Sequence, residues 1–445
     1  MSQAEAQPPH SSPLNGSNVR WRVLTIMVAI SFFSYVYRYN LSTSGLAVRD
    51  ELGLSDTELG LVLAVFAWGY MLFQFPGGLF GHFLGSRKTM TIMIAAWGAI
   101  TLLTGLLPGQ ETQSAALIIG ELVILRFLMG MFQAPLFPVL AASVANWFPV
   151  SRWALPNGLS SVGATLGAAA TPALVAWMVV DLGWRASFYL TALPTVLLAI
   201  LWWWYVRDTP SEHASVHPRE LDLILRGRVK QPEQPPLGQL LGQLLKNRDI
   251  LALAGSYFCM NWVWYIFFSW LMVYLVDVRG FDIINAGMLA AAPWIAGSFG
   301  AGLGGEACDR LCQRIGPRWG CRLPAMAGLC VSAIMLISGA YAPDPYIAVA
   351  FLSLCYACNQ FTEGAYWQAT TFVGGRYTAA AGGVLNTGGN IAGVIATPMT
   401  AVLFQHFGWL VALATGSAFA LIAAALWLLI RADRPMLGEM AEAEG

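Results

Sequence analysis

The sequence predicts an all-α membrane protein: twelve transmembrane helices in two six-helix bundles, with both termini cytoplasmic. Three observations carry this expectation. Of 445 residues, 57% are apolar and 11% charged, less than half the roughly 25% charged content of a soluble domain. At about 20 apolar residues per crossing, that content suits about twelve helices. Basic residues are distributed unevenly among the loops, and the two halves of the chain repeat one another. The composition excludes a water-soluble globular protein. The balance of 24 Lys+Arg against 24 Asp+Glu lacks the basic surplus of a nucleic-acid binder, and the low charge argues against disorder.

Hydropathy places the first bundle at 22–206, with spans at 22–48, 57–80, 88–107, 114–146, 152–180 and 184–206. The polar tail 1–21 lacks the charged start, apolar stretch and cleavage site of a secretory signal, so the first helix is retained. Residues 207–247 hold Pro210, Pro218, Pro232, Pro235 and Pro236 among mixed charges and read as a cytoplasmic linker. Within it, Leu237–Leu245 has the pattern of a short amphipathic helix lying on the membrane. The second bundle covers 248–431, with spans at 248–277, 282–305, 322–341, 345–373, 376–404 and 408–431, and a tail at 432–445.

Orientation follows from Lys and Arg in the loops. With the N-terminus inside, 19 of the 24 basic residues fall in inner segments and three (Arg49, Arg185, Arg279) in outer ones. The remaining two, Arg38 and Arg126, fall inside helices.

The repeat has a nearly fixed offset. Gly163, Gly167, Thr171 and Pro172 match Gly389, Gly393, Thr397 and Pro398 at 226 residues; Gly183-Trp184 matches Gly408-Trp409 at 225. Gly78, His82 and Arg87 match Gly305, Asp309 and Arg314 at 227. A parallel duplication implies two bundles about a pseudo-two-fold axis along the membrane normal, with a site between them near the midplane. The glycines at four-residue spacing read as helix packing positions.

The loop from Gly78 through Gly81, His82, Gly85 and Arg87 resembles the Gly-x-x-x-Asp-Arg-x-Gly-Arg pattern of the major facilitator superfamily, and the resemblance covers nearly the whole chain. It implies that His82, Arg87, Asp309, Arg310 and Arg314 belong to conformational latches rather than to a substrate site. His82 stands where the family has Asp, so the first-half latch is altered.

A charge at mid-membrane costs roughly 2.5–3.5 kcal/mol, so Arg38 and Arg126 call for a function. Two deep guanidinium groups point to an anionic substrate, gripped at two points; the alternative is neutralisation by a protein acid or by backbone carbonyls. Three stretches narrow the resemblance: Arg38-Tyr39-Asn40-Leu41-Ser42, Tyr70-x-x-x-Gln74-x-Pro76-Gly77-Gly78, and Arg126-Phe127-Leu128 with Gly130, Ala134-Pro135 and Phe137-Pro138. Together they look like the anion:cation symporter family of sugar-acid and organic-anion carriers. By that resemblance Arg38 and Arg126 hold the substrate, and Tyr70 and Gln74 share the cavity. Proton-coupled members often carry an Asp before the first arginine and a Glu before the Ala-Pro; here these are Tyr37 and Gln133, which cannot titrate usefully near neutral pH.

Glu363 is the one acid near the middle of a predicted helix, by register beside Gln133, and is the candidate for proton coupling; the bland reading is a fixed ion pair with Arg38 or Arg126. In the seventh helix Tyr257, Asn261, Trp264 and Tyr265 share a face, a candidate cavity wall. Asn386 and Asn390 share a face of the eleventh. Tyr356, Gln360, Glu363 and Trp367 form a polar-aromatic stripe on the tenth, and Asn157, Ser160 and Ser161 on the fifth are weaker candidates. All seven cysteines lie in the second half, with no disulfides expected. Cys308, Cys312 and Cys321 cluster beside Asp309, but their spacing matches no strong zinc pattern, so no metal is expected. No cofactor is expected, and no catalytic cluster marks an enzyme.

The expected function is secondary transport of a small organic anion, a carboxylate or sugar acid, by alternating access with proton-coupled uptake. The expected partners are the anion, protons and the lipid bilayer, with no nucleic acid, for a chain acting as a monomer. The alternatives are an anion exchanger or uncoupled facilitator, an exporter of an amphipathic compound, and a transporter-like membrane sensor.

Overall fold

The computed structural model describes residues 17–109, 113–226 and 237–434. The prolines at 8, 9, 13, 232, 235 and 236 lie outside the described residues. Among those described the chain is helical, with no strand. The first half comprises α1 (Val19–Leu52), α2 (Asp56–Leu84), α3 (Ser86–Gly105), α4 (Ala115–Gln133), α5 (Leu136–Trp147), α6 (Ala154–Leu182) and α7 (Trp184–Tyr205). Between the halves lie α8 (Pro218–Leu225) and α9 (Leu237–Lys246). The second half comprises α10 (Arg248–Asp277), α11 (Ile283–Tyr341), α12 (Pro345–Phe361), α13 (Glu363–Gly374), α14 (Thr378–Phe407) and α15 (Trp409–Leu426). Among the described residues, ten runs are long and apolar enough to cross a membrane; one of them, 288–341, is 54 residues long and folds back on itself at Gly316.

Two expected spans are interrupted. The helix expected at 114–146 breaks between α4 and α5 at Ala134-Pro135, because the proline has no N–H to donate and its ring crowds the preceding turn. The helix expected at 345–373 breaks at Thr362 without a proline. There the Thr362 hydroxyl and N–H both donate to the Asn359 carbonyl, at 2.7 and 3.2 Å, which tightens the turn. Measured from these breaks, Pro135 corresponds to Thr362 and Gln133 to Gln360, at the same offset of 227 as Gly78 and Gly305. Glu363 therefore follows the break and has Leu136, not Gln133, as its counterpart.

The loop expected at 306–321 is helical on both sides of a single reversal at Gly316 (φ 83°, ψ 166°). Gly85, Gly183 and Gly408 take the same backbone conformation, with φ of 81°, 84° and 84°. Each joins two long helices through one residue, and L side chains rarely adopt that φ. Gly85 and Gly316 serve one end of the bundle, Gly183 and Gly408 the other, so the duplication extends to the turns.

Helix pairing repeats as well. α1 packs on α6, α2 on α4 and α3 on α7; correspondingly α10 packs on α14, and the two arms of α11 on α12 and α15. The halves meet chiefly through α2 with α14 and α6 with α11, and also through α5 with α14 and α6 with α13. Each half has its own apolar core, with Met27, Trp97 and Trp202 buried in the first and Leu329, Tyr366 and Trp427 in the second. The end where α1 begins and α15 finishes, here the terminal end, also carries α8. Its buried Glu220 accepts from the backbone N–H groups of Val19 and Arg20 (both 3.2 Å) and from the Ser17 hydroxyl at 2.5 Å. The carboxylate thus caps α1, where anions are favoured.

Candidate functional site

A cavity with about 590 Å³ of unfilled space, part of it open to solvent, lies between the halves. The first half contributes Arg38 on α1 and Tyr70 on α2; the second contributes Tyr257, Asn261 and Tyr265 on α10, Gln360 on α12, Glu363 on α13, and Asn386 and Asn390 on α14. With Trp264 on α10 and Ser161 on α6, eleven predicted residues therefore meet here, from seven helices that hydropathy alone could not bring together.

The Arg38 guanidinium lies over three aromatic rings, 4.7 Å from the Tyr70 centroid, 5.0 Å from Phe66 and 5.6 Å from Tyr35. Ring faces attract a cation without neutralising it. Arg126 on α4 is buried on Phe66 as well, 5.1 Å from its centroid, and its Nη2 donates to the Arg38 carbonyl at 3.4 Å. Its Nε has no hydrogen-bond partner among the described residues. None of the ion pairs among the described residues includes Arg38, Arg126 or Glu363. The fixed ion pair weighed for Glu363 is therefore not formed: its Oε1 instead accepts from the Tyr257 hydroxyl and the Trp367 indole, both at 2.8 Å.

Four predicted residues stand behind the lining. Arg126 is the first. Gln133 is buried and donates to the Ser34 carbonyl at 3.1 Å, tying α4 to α1. Trp367 stacks on Phe137 (6.0 Å) and holds Glu363. Gln74 is buried and accepts from Asn386 Nδ2 at 2.8 Å, across the halves. From there a chain runs on: Asn390 Nδ2 donates to the Asn386 carbonyl (2.7 Å), and Tyr265 donates to Asn390 Oδ1 (3.1 Å). Tyr37 is buried in the first core beside Trp97 and Phe33.

The repeated glycines differ in use. A Cβ on Gly163 or Gly167 would meet backbone carbonyls of α1, at Val28 (2.4 Å) and Phe32 (2.2 Å), which is the packing role expected of them. A Cβ on Gly389 or Gly393 would instead meet the rings of Tyr257 (2.7 Å) and Tyr265 (2.2 Å). In the second half the glycines seat the cavity's tyrosines.

Sequence reasoning missed Tyr35, Thr165 and Trp294, which also line the cavity. Tyr35 lies three residues before Arg38 and Thr165 four after Ser161, spacings that put each on its neighbour's face. Trp294 follows Pro293 among small residues, and no periodicity marks it.

At the terminal end the halves are fastened. Asp309, fully buried on α11, accepts from the first N–H groups of α6, Ala154 and Leu155, both at 2.9 Å. Arg152 pairs with Glu306 at 2.8 Å, and Glu306 with Arg310 at 2.8 Å. His82 lies 4.7 Å from the Tyr377 ring. Gly78 and Gly305 let backbones touch across the halves: a Cβ there would meet the Ala379 carbonyl at 2.4 Å and the Ala154 carbonyl at 2.7 Å. Two expected latch residues lie elsewhere. Arg87 donates to the Trp203 carbonyl (2.6 and 3.0 Å) within the first half, and Arg314 is exposed.

Residues 27–372 match the family model described as Major Facilitator Superfamily. The chain belongs to the major facilitator superfamily. It is 30% identical over 395 residues to the protein named "Probable galactarate/D-glucarate transporter GudP" of Bacillus subtilis, covering 86% of this chain and 85% of that one. It is 28% identical over 438 residues to the D-galactonate transporter of Escherichia coli O6:H1, covering 96% and 99%. The proton:xylose symporter XylE bound to 6-bromo-6-deoxy-D-glucose superposes with a TM-score of 0.72 at 13% identity, covering 97% of this chain and all of that one; this likeness shows the fold. A major facilitator chain with these relatives is a multi-pass integral membrane protein and a transporter, not an enzyme.

Proposed function

We propose that this protein takes up a sugar acid by alternating access, coupled to protons. One observation carries the reading: Arg38, a cation with no acid partner among the described residues, shares one cavity with four neutral carboxamides, Asn261, Gln360, Asn386 and Asn390. A guanidinium grips a carboxylate at two points, and carboxamides both donate to and accept from hydroxyls. That set suits a chain of hydroxyls ending in a carboxylate, the chemistry of the acids named for the relatives. Arg126 adds positive charge from behind Phe66.

Glu363 is the proton carrier of this reading. Both donors go to its Oε1, and the residue lines the cavity. The twelve crossings are α1, α2, α3, α4–α5, α6, α7, α10, the two arms of α11, α12–α13, α14 and α15. The uneven basic residues put the terminal end in the cytoplasm. The bundles are 22–206 and 248–431, joined by a linker at 207–247. One chain supplies both walls of the cavity, so the unit is a monomer.

The test is a thermal-shift screen of D-galactonate, D-glucarate, a neutral hexose and a short carboxylate without hydroxyls. A ligand at 100 times its Kd stabilises by about 2.7 kcal/mol. The two sugar acids are expected to raise the melting temperature and the other two to leave it unchanged. Equal stabilisation by the neutral hexose, or none by any acid, overturns the reading. In proteoliposomes, accumulation driven by an imposed pH gradient supports symport; uptake only against internal anion supports exchange.

A further inference from the structure

The Sγ atoms of Cys308, Cys312 and Cys321 lie within 4.8 Å of one another, and Cys308 and Cys321 are fully buried. Sequence spacing did not mark them as a site, because Cys321 belongs to the second arm of α11, beyond the reversal at Gly316. Cys308 and Cys312 stand one turn apart on the first arm. Gly320 lets the arms close on each other: a Cβ there would sit 2.4 Å from the Cys312 Cα. The result is a Cys312–Cys321 sulfur separation of 3.6 Å. One oxygen faces all three thiols. Gln368 Oε1, on α13, is 2.9 Å from Cys308 Sγ, 3.5 Å from Cys312 Sγ and 3.8 Å from Cys321 Sγ.

We propose that these three thiols and the Gln368 amide oxygen form a binding site for a thiophilic divalent cation of the zinc class. A tetrahedral ion with metal–sulfur bonds of about 2.3 Å sets its sulfurs about 3.8 Å apart, and an oxygen ligand at about 2.1 Å lies about 3.6 Å from each sulfur. The observed separations fall around those values, so side-chain adjustment alone closes the shell. Thiolate softness selects such an ion over magnesium or calcium. Each thiol loses its proton on binding, and Cys312, at 8% exposure the most accessible of the three, gives the path of entry.

The site is wired to the latch. Gln368 Nε2 donates to Asp309 Oδ1 at 3.1 Å, and Asp309 holds the N–H groups of Ala154 and Leu155 in the other half. A metal that takes Oε1 fixes the amide with its N–H toward Asp309, and so favours the closed terminal end. This consequence rests on the alternating-access reading; metal binding does not.

The experiment uses the purified full chain, fully reduced, with cadmium(II) as the probe. One equivalent is expected to produce sulfur-to-metal charge-transfer absorption, and zinc(II) to abolish it by competition. Cys321→Ser is expected to weaken binding at least tenfold. Absence of the band, or its full retention in Cys321→Ser, overturns the site. Should that variant not fold, wild-type protein is alkylated with and without one equivalent of zinc. Protection of Cys312, the most accessible of the three, with unchanged labelling of Cys330 and Cys358 supports the site; unchanged labelling of all three overturns it. With binding established, zinc is expected to slow uptake several-fold in the wild type and not in Cys321→Ser. Binding without slowing refutes the coupling to the latch and leaves the site standing.

Discussion

Arg38 is the residue on which binding and stability part company. Its charge sits on the rings of Tyr70, Phe66 and Tyr35 with no acid among the described residues to pair it. Arg38→Lys keeps the charge and loses the planar fork, so one of two bonds to a substrate carboxylate disappears. A hydrogen bond to a charged partner contributes about 1.5–3 kcal/mol. At about 1.4 kcal/mol per tenfold, the Kd rises about 10- to 150-fold. Arg38→Met removes the partner altogether, which costs about 2–5 kcal/mol of binding when the remaining charge stays desolvated. The unliganded protein behaves oppositely. Replacing a poorly compensated interior charge with an apolar side chain of similar length is neutral or stabilising, so the melting temperature without ligand is expected to hold or rise. The assay is calorimetric titration of D-galactonate or D-glucarate, whichever binds, beside melting curves without ligand. Arg126→Lys, behind Phe66, is the control and is expected to weaken binding less than Arg38→Lys. A Kd for Arg38→Lys within about twofold of wild type would refute the two-point grip.

Further outcomes follow from the same geometry. Glu363→Gln keeps an amide oxygen for Tyr257 and Trp367, so anion counterflow is expected to persist while accumulation driven by a pH gradient is lost; unchanged accumulation counts against proton carriage. Gly167→Ala drives a methyl against the Phe32 carbonyl, and overpacking of this kind costs about 1–3 kcal/mol, read as a lower melting temperature. Gly393→Ala meets the Tyr265 ring instead; it displaces the Asn390 contact, about 1 kcal/mol, and is expected to weaken ligand binding about fivefold. Asp309→Asn turns one of the two oxygens that accept from Ala154 and Leu155 into a donor NH2. It is expected to open the terminal end more than Arg152→Ala does, since exposed ion pairs contribute little; spin-label distances across that end measure it. His213 packs between Trp147 (5.8 Å) and Tyr205 (4.9 Å), and burial, aided by Arg207, holds it below its ordinary 6.5. Its neutral form is favoured in the fold, so its contribution to stability is complete above about pH 6.5 and is lost as pH falls below that value; His213→Gln is expected to flatten that part of the melting-temperature profile.

How much of this was legible depended on the length scale of each signal. Crossing helices were legible because each needs about 20 apolar residues, and the duplication was legible because identical glycines recur at one offset. The cavity was partly legible. Buried charge and polar residues on one helical face announce Arg38, Glu363 and the Asn386/Asn390 pair, yet periodicity fixes direction only about a helix axis. It does not say which neighbour a face meets. Gln133, at the end of α4, donates to the Ser34 carbonyl and stands behind the lining. Thr362 broke α12 from α13 with a single hydroxyl, too slight a signal to separate from other threonines in apolar helices. The three cysteines stood together in the sequence, but their spacing matched no metal pattern, because Gly316 doubles the chain back between them.

The two halves share turns, pairings and breaks, so their differences carry the function. In the first half α6 packs backbone to backbone on α1 through Gly163 and Gly167, and the cation comes from α1 itself. In the second half the matching glycines receive the rings of Tyr257 and Tyr265, and Tyr257 reaches the acid on α13. One half is thereby a rigid mount for Arg38. The other is a set of tyrosines whose positions depend on glycine spacing and on whether Glu363 accepts a hydrogen bond. In the proposed mechanism, a proton on Glu363 removes a negative charge from the cavity and leaves Oε1 a neutral, weaker acceptor for Tyr257 and Trp367. Asn261, which donates to the Tyr257 carbonyl at 2.8 Å, stands on the same face. In that mechanism a proton on the second half changes what the cavity offers to an anion held by the first, and the proposed coupling requires no acid beside either arginine.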